Sequence, residues 1–489
     1  MVSVDTRVEQ RQPDKTFFGH PRGLANLFGV EMWERFSFYG MQGILTIYLY
    51  YSATDGGLGL SKGTATSIVG AYGGLVYLST IVGAWVADRL LGSERVLFYS
   101  AIVIMFGHIS LALLPGFLGV GVGLCAIALG SGGLKANATA LVGTLYGEHD
   151  ERRDAGFSLF YMGINLGAFF GPLLTGLAQQ RLGFHYGFGL AAIGMAAGLI
   201  QYSFGRRNLP EHANVVPNPL PAPERLRYFG IAAAAVVVIV VLVLTGVITA
   251  ARLANITIAV TAVAAIAYFA VILSSRRIDT IERRRVFSFI PMFLASFVFW
   301  SLYQQQFTVV TIYSDERLDR RLFGWEMPVS WVNSINPVFV ILLAGVFAAL
   351  WLKLGERQPS TPMKFAFGTT LMGVAFLAFL LWAGGSGNTT PVLGLAFILL
   401  LFTIAELSLS PVGLSLSTKL APRAFRTQMV ALNFLSVGLG TATAASLAKY
   451  YDPSHEGVYF ATVGGIAVLF GILIAVASPY IRRLMSGVH

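Results

Sequence analysis

Residues 206–227 read RRNLPEHANVVPNPLPAPERLR, a run of prolines and charges that cannot be a membrane span, set between long apolar stretches on either side. Outward from it, segments rich in Leu, Ala and Gly continue for about 20 residues or more, the length an α-helix needs to cross roughly 30 Å of hydrocarbon. Barrel strands would instead alternate in polarity over about ten residues. The whole chain agrees: its 489 residues are 55% hydrophobic and 12% charged, with mean hydropathy +0.68, which excludes a set of soluble domains. The expectation is an all-α polytopic membrane protein.

Gly, Pro and charge clusters divide the chain into about fourteen transmembrane helices, six before the proline-rich stretch and a matching six from Phe287 onward. The spacing predicts a cytoplasmic N-terminal tail (1–23), a six-helix bundle (24–205), a cytoplasmic linker (206–227), an inserted helix pair (228–274), a second linker (275–285), a C-terminal six-helix bundle (286–480) and a cytoplasmic tail (481–489). With residue 1 inside, most Lys and Arg fall on the cytoplasmic side. Only Lys62, Arg181, Arg252, Arg317, Arg320, Arg321 and Lys449 remain outside. That asymmetry places both termini in the cytoplasm. The inserted pair has no ionisable residue in its span interiors, so it is expected to face lipid and to be dispensable for the chemistry. Two six-helix halves are the architecture of many secondary transporters, which hold substrate near the midplane between them.

The net charge of +10 comes from short basic clusters between apolar segments, not from a stripe on a folded domain, so nucleic acid is not a partner. Cys125 is the only cysteine, and the seven histidines lack ligand spacing, so no disulfide, metal or haem is expected. The polar residues 1–23 contain no short apolar core with a small-residue cleavage site, and the first span is expected to be retained. A nucleophile–base pair, a P-loop and a dinucleotide fingerprint are all missing from the sequence, which argues against an enzyme, a cofactor and ATP-driven transport.

Five ionisable residues lie deep within predicted spans: Glu31, Glu34, Arg35, Lys135 and Glu406. Burying each in lipid costs several kcal/mol, about 3 by insertion measurements, so such groups face a bundle interior or a water-filled cavity. Glu31, Glu34 and Arg35 share one helix face by their i, i+3 and i+4 spacing. Fully ionised, the five sum to minus three plus two, and one proton on a carboxylate makes the set neutral. That arithmetic suits proton coupling. The structural alternative is a set of static ion pairs locking the bundle, which often stabilise less than apolar packing.

The string EMWERFSFYG (31–40) resembles the E-x-x-E-R-F-x-Y-Y-G signature of the proton-dependent oligopeptide transporter family, within the major facilitator superfamily. Further resemblances are GAWVADRLLGSER (83–95), GSGGLKANAT (130–139), FSLFYMGINLGA (157–168), PSTPMKF (359–365) and AELSLSPVGLS (405–415). The resemblance implies a major facilitator fold, two six-helix bundles plus the inserted pair, and a proton-coupled importer of di- and tripeptides in the inner (cytoplasmic) membrane. It implies that Glu406 receives the peptide amino group, that Arg35 and Lys135 attract its carboxylate, and that Tyr39, Tyr77, Asn165 and Asn336 hydrogen-bond its backbone. Trp300 would shape a side-chain pocket, and Asp88, Arg89 and Arg95 a conformational latch. Proton coupling would rest on Glu31, Glu34 and Glu406.

Three positions depart from the family pattern. Gln42 stands where relatives often have an arginine, Gln304 where they often have an acidic residue, and Asn433 where many have a tryptophan. Two neutral amides avoid an orphan buried charge and permit an uncharged hydrogen bond. Asn433 implies an altered side-chain pocket. The expected partners are peptides, protons and the lipid bilayer, and the sequence leaves the oligomeric state open. Two transport alternatives stand beside this reading: a family carrier of nitrate or another small anion, and a major facilitator drug/proton antiporter.

Overall fold

The computed structural model describes residues 17–147, 150, 152–385 and 387–487. The first half comprises α1 (Arg22–Tyr50), α2 (Lys62–Val86), α3 (Ser93–Leu113), α4 (Gly116–Thr144), α5 (Arg153–Leu182) and α6 (Phe184–Gly205). The inserted pair is α7 (Ala222–Leu244) and α8 (Leu253–Ser274). The second half comprises α9 (Thr280–Tyr303), α10 (Val309–Glu316), α11 (Ile335–Leu354), α12 (Thr361–Ala378), α13 (Val392–Lys419), α14 (Arg426–Ala448) and α15 (Glu456–Leu484). The helices α9 and α10 are one span interrupted by a 3-10 turn at Gln304–Phe307.

Thirteen of the described helical segments are apolar and long enough to cross a membrane by length and composition. The fourteenth is α1, where Glu31, Glu34 and Arg35 interrupt the apolar run but are buried by neighbouring helices. Three boundaries differ from those the sequence predicts. The inserted pair starts at Ala222, and Pro223 is tolerated inside it because a proline in the first helical turn loses no intrahelical hydrogen bond. Residues 280–285, charged from Glu282 on, are helical and not linker, since Asp279 and Glu282 form a capping box that starts α9 at Thr280. The first span of the C-terminal bundle, expected to begin at 286, is broken at Gln304 and continues to Glu316.

Each half has its own apolar core. In the first half α1 packs on α5 and α6, and α3 on α4 and α6; in the second, α12 packs on α13 and α15, and α9 on α14. The glycine-rich signature of α5 has a packing cause: a Cβ at Gly167 would lie 2.2 Å from the carbonyl oxygen of Met32 on α1. Such backbone approach between spans needs small residues. The inserted pair splits in character. On α7 no residue is buried, whereas α8 buries Ala254, Thr257, Thr261, Ala265 and Ile272 and packs on both α2 and α14, one helix from each half.

Candidate functional site

The charged face of α1 turns inward. Arg35 Nε donates to Glu31 Oε1 at 2.9 Å and lies 2.7 Å from Glu34 Oε2, while Ser131 Oγ of α4 donates to Glu34 Oε1 at 3.0 Å. Glu34 is fully buried. Glu31 and Arg35 line a cavity between the two halves. Close packing of α4 on α2, where a Cβ at Gly132 would fall 2.4 Å from the carbonyl carbon of Ser79, brings Lys135 beside α2. Lys135 Nζ sits 4.6 Å from the centroid of the Tyr77 ring and forms no ion pair among the described residues.

The second half contributes the opposite charge. Glu406 of α13 accepts from Tyr303 Oη at 2.8 Å and from Asn336 Nδ2 at 3.5 Å. Asn336 is itself oriented by a bond from its Nδ2 to Thr403 Oγ1 at 2.9 Å.

Glu31, Arg35, Lys135, Tyr303 and Glu406 share a cavity of about 750 Å³, with Tyr39 and Asn165 from the first half and Asn336 from the second also in its wall. A smaller chamber of about 80 Å³ shares Tyr39, Lys135, Tyr303 and Glu406 with it and adds Gln42, Tyr77, Trp300 and Gln304. Gln304 and Tyr77 both line this chamber, and Gln42 Oε1 is buried with no hydrogen-bond partner among the described residues, so the two amides occupy one chamber without bonding each other. Asn433 lies outside both linings. Its Oδ1 points to Gly413 of α13, because Ala431 and Phe434 take the cavity-facing positions and each helical residue turns about 100° from the last.

Asp88 and Arg89 stand at the cavity's linker end, where their carbonyl oxygens accept from the amides of Asn218 and Leu220 at 2.9 and 2.8 Å. Arg95 is exposed on α3 and does not line the cavity. At the opposite end the halves are held together. Thr46 Oγ1 donates to the carbonyl of Phe307 at 2.5 Å, Lys62 pairs with Glu316, and Ser330 Oγ donates to the carbonyl of Pro172 at 3.0 Å.

Several residues of the cavity wall and of the buried ion pairs are not singled out by the sequence. Tyr303 and Asn333 line the cavity, and each stands three residues from a position that the family resemblance does mark, Trp300 and Asn336, so helical spacing is the available signal. Arg317 and Glu456 have the sequence context of loop charges, yet they are buried and paired at 2.9 Å. Glu94 is likewise buried, in a two-pronged pair with Arg206 at 2.8 Å on each prong.

The POT family model matches residues 94–461. The chain belongs to the POT family. Similar proteins include the uncharacterized transporter YclF of Bacillus subtilis, 43% identical over 492 residues and covering all of both chains. The di-/tripeptide transporter of Lactococcus lactis subsp. cremoris is 41% identical, with 97% of this chain and 99% of that one covered. A crystal structure of a mutant of the peptide transporter POT in complex with alafosfalin superposes with TM-score 0.92 at 44% identity, over 97% of this chain and 98% of that one. Membership makes this chain a multi-pass membrane transporter, not an enzyme, with the helical two-bundle fold of its POT-family neighbours.

Proposed function

We propose that this POT-family chain is a proton-coupled symporter that imports di- and tripeptides across the cytoplasmic membrane by alternating access. The observation that carries the reading is the pairing of opposite charges across one cavity, Lys135 on the first half and Glu406 on the second. A zwitterion with free termini bridges them. The names of the Lactococcus relative and of the alafosfalin-bound transporter point to the same substrate class. A small anion would leave Glu406 facing like charge, and an organic cation would do so for Lys135, so the anion-carrier and drug-antiporter readings fit less well.

In this reading both termini and the 206–227 linker lie in the cytoplasm, which makes the cavity's linker end the cytoplasmic one and the conformation inward-facing. The bundles 24–205 and 286–480 rock around the central site. Glu31 and Glu34 carry the coupling proton: protonation frees Arg35 toward the peptide carboxylate, and proton loss after delivery restores the ion pair and resets the carrier. Asp88, Arg89 and Arg95 act in the cytoplasmic latch, Trp300 shapes the side-chain pocket, and Tyr39, Tyr77, Asn165 and Asn336 hold the peptide backbone. Gln42 and Gln304 tune the deep chamber. Each proton entering down 100 mV supplies about 2.3 kcal/mol.

The test is uptake of labelled di- and tripeptides by proteoliposomes under an imposed pH gradient, acid outside. Accumulation that collapses with a protonophore is the expected result. Equal uptake with and without the gradient overturns the coupling, and no peptide uptake by folded protein overturns the substrate class.

A further inference from the structure

The two helices that meet along one side of the cavity, α2 and α14, touch closely away from the linker and separate toward it. A Cβ at Gly70 would fall 2.0 Å from Cβ of Ala445, and one at Gly73 would fall 2.5 Å from Cγ2 of Thr441, so there the two helices are in van der Waals contact. Further along, Ile81, Ala84 and Trp85 of α2 and Thr427, Gln428 and Ala431 of α14 face the cavity instead. The seam is a V that opens toward the linker end.

The inserted α8 lies along that V. At its narrow end α8 is fastened to both sides: Ser67 Oγ of α2 donates to the carbonyl of Ala251 at 3.2 Å and accepts from the amide of Ala254 at 3.1 Å, while Ser446 Oγ of α14 donates to Asn255 Oδ1 at 2.5 Å. Toward the wide end Tyr268 joins the cavity lining beside Trp85, and Trp85 packs against Tyr228 of α7 with ring centroids 5.3 Å apart. An element expected only to face lipid thus supplies a wall of the site.

We propose that the inserted pair is part of the transport pathway, with α8 closing the cavity across the α2–α14 seam and Tyr268 the side chain that peptides pass at the linker end. An aromatic ring with a polar tip suits this place, since one face meets apolar side chains while the hydroxyl stays in water. Peptides with bulky apolar side chains feel it most. The proposal rests on the transport reading for its substrate but not for its geometry.

Thiol labelling tests it on the full chain. In a Cys125→Ala background, Tyr268→Cys is compared with Ile266→Cys, which sits at similar depth on an exposed face of the same helix, using a water-soluble methanethiosulfonate. The Tyr268→Cys thiol is expected to react on the order of tenfold faster, because the thiolate is the reacting species and needs water, and saturating Ala-Ala should slow it. Equal rates at the two positions overturn the wall, and labelling unchanged by peptide overturns the pathway. Should Tyr268→Cys not fold, the uptake ratio of Phe-Ala to Ala-Ala decides: it should shift in Tyr268→Ala and hold in Tyr268→Phe. An unshifted ratio in Tyr268→Ala overturns the proposal. Wild-type protein that transports no peptide at all would refute the substrate reading, while the labelling rates without peptide would still decide whether α8 walls the cavity.

Discussion

Tyr50 Oη donates to Asp315 Oδ2 across 2.6 Å, and the two residues belong to different halves of the protein. Tyr51 Oη donates to the other carboxylate oxygen at 2.8 Å, so a single side chain on the second half holds two from the first. For the cavity to open at this end, both bonds must break.

Asp315→Ala therefore favours the conformation open away from the linker. Each hydrogen bond to a charged group contributes about 1.5–3 kcal/mol, enough to move a two-state population several-fold or more. Spin labels on the exposed Thr54 and Arg321, in the Cys125→Ala background, read the separation of the halves. The variant should show a longer distance population than the parent. Superimposable distributions would mean that this contact does not hold the closed end.

Gly70→Val attacks the same closure by crowding. Its Cβ would meet Ala445, and overpacking of this kind costs about 1–3 kcal/mol, borne only while the seam is shut. Peptide uptake should fall sharply. Gly121→Val is the control, since nothing lies within 4 Å of a Cβ there. Equal uptake by the two variants would show that the seam tolerates a side chain.

Glu406→Gln removes the negative charge opposite Lys135 but keeps the side-chain shape that Tyr303 and Asn336 hold. A free peptide amine loses a charge-assisted hydrogen bond of about 1.5–3 kcal/mol, which is roughly tenfold to hundredfold in affinity. Competition assays should show that N-acetylated and C-amidated peptides compete poorly with wild type, and that Glu406→Gln narrows the gap for the acetylated form. Unchanged affinity for free peptides in this variant places the amino-binding role elsewhere.

The two carboxylates of α1 differ in access: Glu31 borders the cavity, while Glu34 is sealed behind it under Arg35 and Ser131. Wild-type accumulation should rise as the outside is made more acidic. In Glu31→Gln and Glu34→Gln it should be flat with pH, while peptide counterflow survives to some degree, since exchange need not cycle an empty carrier. Removing one partner of a buried ion pair costs about 3–5 kcal/mol when it strands a charge; Arg35 keeps its second carboxylate in each variant, so the loss of stability should be smaller. If both variants still concentrate peptide under the gradient, the proton site is another group, with Glu406 next.

Much of the site is legible in the amino-acid sequence. The α1 charges can be read there because i, i+3 and i+4 spacing is a property of a single helix, and Lys135 and Glu406 stand out because a charge deep in an apolar span needs a reason to be there. Arg317 and Glu456 show the limit. They fall where hydropathy puts solvent-exposed loop, yet they are nearly sealed from water. Asn433 shows the reverse, since its place in the family pattern suggests the cavity and helix rotation turns it toward Gly413.

What the chain's order of residues determined by itself was local: where helices can span, where prolines and charges stop them, and which charges share a face, because length, polarity and helical period act within one segment. Which faces meet was decided only in three dimensions. Glu406 is held by Tyr303 from 103 positions away and by Asn336 from 70, Asp315 by Tyr50 from 265, and Tyr268 reaches the cavity because α8 settles against one helix of each half. Such pairings depend on the packing of small residues and rings between spans, and lipid tails are as apolar as leucine, so hydropathy alone cannot choose which face a helix buries.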